Sequence, residues 1–239
     1  MMKISTLSNY LILIWKMILY NLRIIFANKF IWFLAGSVVF YLGVSVIYVI
    51  SEDVSRMSDL YGVFIFSGIL LVFYPSVFGI QNDQDARTLE ILFGIPDYRY
   101  KVWLVRIVLI FIIAYIIMLV FTFLSSVLIV NFQFVKTTSQ VMVPVLFLGM
   151  MAFMLSTVIR NGNGTAVLMI IFGLFFLILQ EPLRRSQWNV FLNPFQPAYN
   201  VSETTWALIT MKNRIILITG TIIFLLTALL NLQRREKFM

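Results

Sequence analysis

Six long apolar runs constrain the fold of this chain more than any other feature of its sequence. They occupy residues 30–50, 61–80, 107–130, 141–159, 165–179 and 215–232. A helix rises about 1.5 Å per residue, so it needs about 20 predominantly apolar residues to cross the hydrocarbon core of a bilayer. The runs approach that length, and the sequence therefore predicts an all-α integral membrane protein with six transmembrane helices.

The composition indicates that lipid surrounds most of the protein, and it excludes several kinds of function. Of 239 residues, 61% are hydrophobic and only 12% are charged, with a mean hydropathy of +0.96, whereas about 25% of a soluble domain is charged. The absence of Cys and His excludes disulfides, thiolate metal sites and the commonest general base. We expect no catalytic residue, no metal site and no enzymatic activity in this chain.

The chain shows no internal repeat and no soluble domain, so we expect one transmembrane domain over residues 1–239. Its predicted parts besides the spans are an interfacial elbow helix (1–29), a cytoplasmic loop (81–106) and an external segment (180–214). The net charge of +8 comes from basic residues that flank apolar runs. This pattern is typical of membrane orientation and speaks against nucleic acid as a partner.

The N-terminal segment combines apolar residues with a narrow polar stripe. At about 3.6 residues per turn, Ser5, Asn9, Lys16, Tyr20 and Arg23 fall on one helix face. Such a helix lies in the membrane interface with its stripe toward water. A signal peptide and a first span are the alternatives. The central Lys and the lack of a small-residue cleavage site argue against both.

The distribution of Lys and Arg predicts cytoplasmic termini. With the N-terminus inside, twelve Lys and Arg lie on the cytoplasmic side and six on the outer side, as the positive-inside rule favours. We therefore expect a multi-pass protein of a bacterial cell (inner) membrane. Four of the six outer charges lie in 180–214, which leaves an alternative topology open at that end.

The source of energy is expected to lie in another polypeptide. No carboxylate falls within the six apolar runs, although ion-coupled transporters typically carry ionisable groups there. Backbone carbonyls could still bind Na⁺, so antiport is weakened without being excluded. The chain also lacks a phosphate-binding G-x-x-x-x-G-K-[ST] loop.

The most charged loop carries the pattern of a short helix with one apolar face. Asp83 and Asp85 are expected near its start, where negative charge complements the helix dipole. Leu89, Leu92 and Phe93 share one side by their spacing.

The remaining residues of this loop predict where the short helix ends and what it leaves for polar contacts. Gly94 and Pro96 can end the helix, while Arg87 and Glu90 point elsewhere. Two interpretations remain open from these residues alone: a surface that a partner's cleft binds, or a solvated loop that only sets the topology.

The run "NDQDARTLEILFGIPDYRYKVWLVRIV" resembles the cytoplasmic loop of type-2 ABC exporter permeases. That family carries an acidic start, G-T-L-E, a short apolar run, a Pro, an Arg and a basic residue leading into the third span. The matching positions here are Thr88-Leu89-Glu90, Ile91-Leu92-Phe93, Ile95-Pro96, Arg99 and Arg106. Arg87 stands where the family has Gly, and Gln81 or Asp83 where a Glu is common. The elbow helix, the six spans, an "NPF" element at 193–195 and a basic C-terminus also resemble the family in outline.

The resemblance implies a function, partners and a set of site residues. It implies the transmembrane subunit of an ATP-driven exporter, which forms the translocation pathway as a homo- or heterodimer with a second permease copy. Cytoplasmic ABC ATPase subunits would bind ATP and Mg, so this chain itself needs no cofactor. The residues expected to couple to the ATPase are Asp85, Arg87, Thr88, Leu89, Glu90, Leu92, Phe93, Pro96 and Arg99.

The substrate-binding residues are not assigned by the sequence. Because the spans offer mostly Phe, Met, Leu and Ile, we expect a hydrophobic or amphipathic cargo. Two alternatives are a non-transporting membrane subunit of an ATPase-driven envelope machine and an integral-membrane enzyme that modifies lipid.

Two smaller features carry expectations of their own. Arg106 is expected to reach the cytoplasmic interface with its charged end. The aromatic residues of segment 180–214 are expected to form a belt at the outer interface or short re-entrant helices.

Because the chain contains no Cys, single Cys probes test the predicted orientation cleanly. A Cys in place of Ser58 is expected to react with a membrane-impermeant thiol reagent added from outside the cell. Reaction of this Cys only from the cytoplasmic side would contradict the orientation.

Overall fold

A computed structural model of the chain describes residues 29–50, 57–85 and 99–233, without the side chains of residues 99–101. Within these ranges all regular structure is helical and no strand occurs. The helices are α1 (Phe30–Ile50), α2 (Met57–Asp85), α3 (Val105–Leu128), α4 (Phe134–Ile159), α5 (Gly162–Gln180) and α6 (Glu203–Asn231). A π-helical turn, Arg99–Leu104, leads directly into α3.

All six α-helices are long and apolar enough to cross a membrane, which confirms the predicted set of spans for this part of the chain. The predicted elbow helix lies almost wholly outside the described residues. The short helix that the sequence predicts around Leu89, Leu92 and Phe93 also lies outside them.

Several helices are longer than their apolar runs predict. The 29 residues of α2 span about 43 Å, more than the roughly 30 Å of hydrocarbon, because a helix continues into the interface. The described helices therefore include four carboxylates that lie outside the apolar runs, all of them in end turns. Asp59, Asp83 and Asp85 lie in the end turns of α2, and Glu203 begins α6.

The largest correction concerns α6, which begins at Glu203 and not at 215. The connection before it shortens from the predicted 180–214 to residues 181–202, where the backbone forms successive turns rather than re-entrant helices. Lys212 and Arg214 consequently lie inside α6.

Helix α4 lies at the centre of the bundle and packs against α2, α3, α5 and α6. Of its most apolar stretch, 61% is buried, against 11% for α1 and 17% for α5. The two peripheral helices therefore keep broad apolar faces for lipid or another protein chain.

Buried hydroxyl groups bond the helices across the core. The hydroxyl group of Tyr41 in α1 donates to the carbonyl oxygen of Phe121 in α3 at 2.9 Å. Thr122 and Thr138 join α3 to α4 through their hydroxyl oxygens at 2.6 Å. In a bilayer such bonds satisfy polar groups that no water reaches and contribute roughly 0.6–2 kcal/mol each.

Close packing at the centre requires a glycine in α4. A Cβ at Gly149 would lie 2.8 Å from the ring of Phe111 and 3.2 Å from a methyl group of Val72. We expect Gly149→Leu to destabilise the detergent-solubilised protein by about 1–3 kcal/mol, the usual cost of overpacking a core.

The matched control is Gly43→Leu in α1, where an added Cβ meets no atom within 4 Å. Thermal unfolding of the two variants checks this prediction. Equal melting temperatures would show that the α2–α3–α4 core is not closely packed at Gly149.

Candidate functional site

A buried ion pair joins the end of α2 to the start of α3, on either side of the motif-bearing segment 86–98. The Nη1 group of Arg106 donates to Oδ2 of Asp83 at 2.7 Å, and both residues are buried. Ion pairs that leave water need short, well-directed bonds, because desolvation otherwise exceeds their attraction. This pair fixes the two helix ends to each other; we call this part of the molecule the Asp83 end.

The π-helical turn places an aromatic ring beneath the same guanidinium group. The centre of the Trp103 ring lies 4.8 Å from Cζ of Arg106, within cation–π range. Trp103 is 1% exposed and packs against Phe153 of α4 at 6.0 Å between ring centroids. The expectation that Arg106 extends to the interface was therefore wrong, because Asp83 and Trp103 hold its charge inside the protein.

The turn between α4 and α5 lies against the same end of α2. Arg160 ends α4 with a positive φ of 59°, and the side chain of Asn161 caps α5 by accepting from the Gly164 amide. The Gly162 amide donates to Oε1 of Gln81 at 2.5 Å. A Cβ at Gly162 would overlap the ring of Phe78, so only glycine permits this approach.

Most of the predicted coupling residues lie outside the described part of the chain. Of that set, Asp85 is described in full: it ends α2, is exposed and accepts from Nε2 of Gln81 at 3.4 Å. Arg99 begins the π-helical turn. The residues from Arg87 through Pro96 fall outside the described ranges, and their roles stay predictions. Asp83 belongs to the last turn of α2 and pairs with Arg106, and the short helix near whose start it was expected lies outside the described residues.

The opposite end of the bundle, which we call the Arg214 end, is built around a buried arginine. The guanidinium group of Arg214 donates to Oε1 of Gln140 at 2.8 Å, to the Tyr61 hydroxyl group at 2.9 Å and to Oδ1 of Asn213 at 2.9 Å. It also reaches the carbonyl oxygen of Leu192 at 3.3 Å. Among the described residues these acceptors are all uncharged. Arg214 thus joins α2, α4 and α6 to the 181–202 connection.

Asparagines fasten the 181–202 connection to this end. Nδ2 of Asn213 donates to the carbonyl oxygens of Gln187 and Asn189. Asn193, the first residue of the "NPF" element, donates to the carbonyl oxygen of Ser58 at 2.8 Å. The indole nitrogen of Trp206 donates to the carbonyl oxygen of Pro194. The connection is therefore bonded to both α2 and α6.

Taken together, the described residues define an all-helical protein with six helices long and apolar enough to cross a membrane. They contain no group of acidic residues that could hold a metal ion. Comparisons of the chain with protein-family models, with curated proteins and with solved structures found no match.

The contacts that build the Asp83 end are not evident from the sequence. Asp83 and Arg106 lie 23 positions apart, and Gln81 and Gly162 lie 81 apart, so no local periodicity joins them. The one available indication was an acidic and a basic residue on opposite sides of a loop between two apolar runs.

We expect Asp83→Ala to destabilise the protein by about 3–5 kcal/mol, because it leaves the buried guanidinium group of Arg106 without its carboxylate. The exposed neighbour provides the matched control, Asp85→Ala, whose cost should stay below about 0.5 kcal/mol. Thermal unfolding in detergent measures both.

Replacing both partners, as Asp83→Leu with Arg106→Met, should recover most of the loss, since it removes the buried charge altogether. A double variant as unstable as Asp83→Ala alone would contradict the pairing.

Proposed function

We propose that this chain is the transmembrane subunit of an ATP-driven exporter of the type-2 ABC class. It works as a dimer with a second permease chain, and separate cytoplasmic ATPase subunits bind ATP and Mg. The observation that carries the proposal is the position of the segment 86–98, which bears the Thr88-Leu89-Glu90 motif. Along the chain, this segment connects the two helix ends that Asp83 and Arg106 hold together.

The contacts at the Asp83 end give this segment a mechanical connection to three helices. Because the ion pair holds the end of α2 to the start of α3, a push on the segment moves both helices together. The bond from Gly162 to Gln81 passes the same displacement to the start of α5. Closure of the ATPase dimer around ATP would in this way rearrange the spans and open the path for cargo.

The distribution of charge supports a hydrophobic or amphipathic cargo. In the described part of the chain, the carboxylates inside helices lie in end turns. Arg214 has its hydrogen bonds satisfied by neutral groups of the protein itself. Such walls would poorly stabilise a small bare ion in a low-dielectric environment.

The proposal is tested at the apolar face of the segment. If Phe93 fills a cleft on the ATPase, Phe93→Ala should weaken its binding by about ten- to a hundredfold, the equivalent of about 1.5–3 kcal/mol of lost burial. Co-purification of the ATPase with the inserted permease measures this. Phe175→Ala, which shortens a half-exposed ring on α5, should leave the complex intact.

A second variant separates docking from coupling. Glu90→Ala should preserve the complex but lower transport per ATP hydrolysed, because Glu90 supplies a polar contact that fixes orientation. Glu203→Ala, at the exposed start of α6, is the matched control. Wild-type assembly and transport in both Phe93→Ala and Glu90→Ala would overturn the proposed role of this segment.

A further inference from the structure

A cavity of about 640 Å³ lies between α2 and α5 near the Arg214 end of the bundle. We call it the α2–α5 cavity. Its volume falls within the roughly 300–1,000 Å³ of sites that hold one small molecule. The coupling contacts described above lie at the other end of the bundle, so the proposed attachment of an ATPase does not account for this space.

The lining of the α2–α5 cavity is polar at one end and apolar along its length. The polar residues lie where α2 begins, where α5 ends and in the 181–202 connection: Ser58, Asp59, Gln180, Asn193 and Gln196. The deeper wall is apolar and includes Ile69, Leu70, Phe73 and Leu174. Such a gradient along the membrane normal matches the orientation of a lipid molecule in a bilayer.

The length and the opening of the cavity agree with an acyl chain. Its wall on α5 extends from Met169 to Gln180, or about 16 Å, which is close to half of the roughly 30 Å of bilayer hydrocarbon. Ile170, Leu174 and Leu177 line the cavity and remain more than half exposed. The cavity therefore opens sideways, so a chain can enter directly from the bilayer.

Charged residues of both signs line a pocket that adjoins the mouth of the cavity. Asp59 lines the cavity and also lines this pocket of about 480 Å³, whose lining includes Arg184. Both side chains are exposed. A carboxylate and a guanidinium group in the lining of one pocket complement an ammonium group and a phosphate that are joined in one molecule. A purely anionic head would meet Asp59 as a like charge.

We propose that the α2–α5 cavity binds a bilayer phospholipid with a zwitterionic head, whose ammonium and phosphate groups lie at Asp59 and Arg184 and whose tail runs along α5. A helix from a second copy of the chain fits less well. One turn of a helix about 11 Å wide occupies roughly 500 Å³, so the cavity holds little more than one turn. The proposal does not depend on ATPase coupling.

The test uses the purified full-length chain, reconstituted in vesicles of equal phosphatidylethanolamine and phosphatidylglycerol and then extracted in detergent. Native mass spectrometry counts the lipids that stay bound. Wild type should retain phosphatidylethanolamine over phosphatidylglycerol by roughly tenfold, the equivalent of one charge-assisted contact. Equal retention of the two lipids would overturn the zwitterionic assignment.

Substitutions at two glycines test whether a side chain placed in the cavity prevents the lipid tail from binding. Gly173 lines the cavity, and an added Cβ there meets no atom within 4 Å, so Gly173→Phe introduces a ring into the cavity from a position with open space around its first side-chain atom. This variant should lose the bound lipid, whereas Gly43→Phe, at an equally open position on α1, should keep it. Equal retention by these two variants would overturn the site.

Charge variants test the head independently of the tail. Asp59→Asn should remove the preference for phosphatidylethanolamine, and Arg184→Gln should weaken retention of both lipids. Their controls, Glu181→Gln and Arg185→Gln, change neighbouring charges that do not line either pocket. Equal behaviour of Asp59→Asn and Glu181→Gln would contradict the role of Asp59.

Cross-linking tests separately whether a second copy of the chain, instead of a lipid, occupies the cavity. Leu177→Cys places a single thiol on the cavity wall of a chain that has no other. Rapid, high-yield disulfide formation between two such chains in the membrane would show that the cavity faces a second copy, and it would overturn the lipid assignment. Little cross-linking together with retained lipid supports it.

Discussion

A polar group that leaves water inside a bilayer must find its partner within the protein, and these partners determine how the helices of this bundle meet. Shape alone specifies helix contacts weakly when the surrounding lipid is as apolar as the helix surfaces. The described residues provide such partners at both ends and in the middle of the core. The hydroxyl bonds of Tyr41 and Thr122 fix α1 and α4 against α3, while charged side chains fix the two ends.

The buried arginines at the two ends of the bundle are compensated by different kinds of acceptor. At one end the charge of Arg106 is neutralised by the carboxylate of Asp83, so one ion pair supplies the charge compensation between α2 and α3. At the other, Arg214 distributes its charge over several neutral oxygens from α2, α4, α6 and the 181–202 connection. Loss of one neutral acceptor leaves the others in place. The Arg214 end is therefore the more redundant anchor, whereas charge compensation at the Asp83 end depends on one carboxylate.

The number and approximate position of the spans could be predicted from the sequence, because hydropathy over about 20 residues measures the same property that lipid selects. The helix ends could not, since an α-helix continues past the hydrocarbon wherever side chains can satisfy its polar groups. The start of α6 shows this: Ser202 caps it by accepting from the Thr205 amide, and Arg214 is stabilised by tertiary acceptors that hydropathy does not register. Of the candidate functional site, the charged loop between the second and third spans could be predicted from the sequence. The sequence could not indicate the pairing of Gln81 with Gly162, because that pairing exists only after two distant turns are brought together by folding.

Helix α5 takes part in both proposals, the exporter function and the lipid site of the α2–α5 cavity. Its first turn is held by Gln81, and its last carbonyl, that of Gln180, accepts from Asn189 at 3.3 Å. Between these points its buried residues, Thr165 and Met169, lie in the first half, and Gly173 faces open space. A segment with few buried contacts is displaced at less cost than a close-packed one. A tail bound along α5 would supply the contacts that the protein omits there. It would thereby stiffen the helix that, in the proposed function, is connected to the segment 86–98 through the Gln81–Gly162 hydrogen bond.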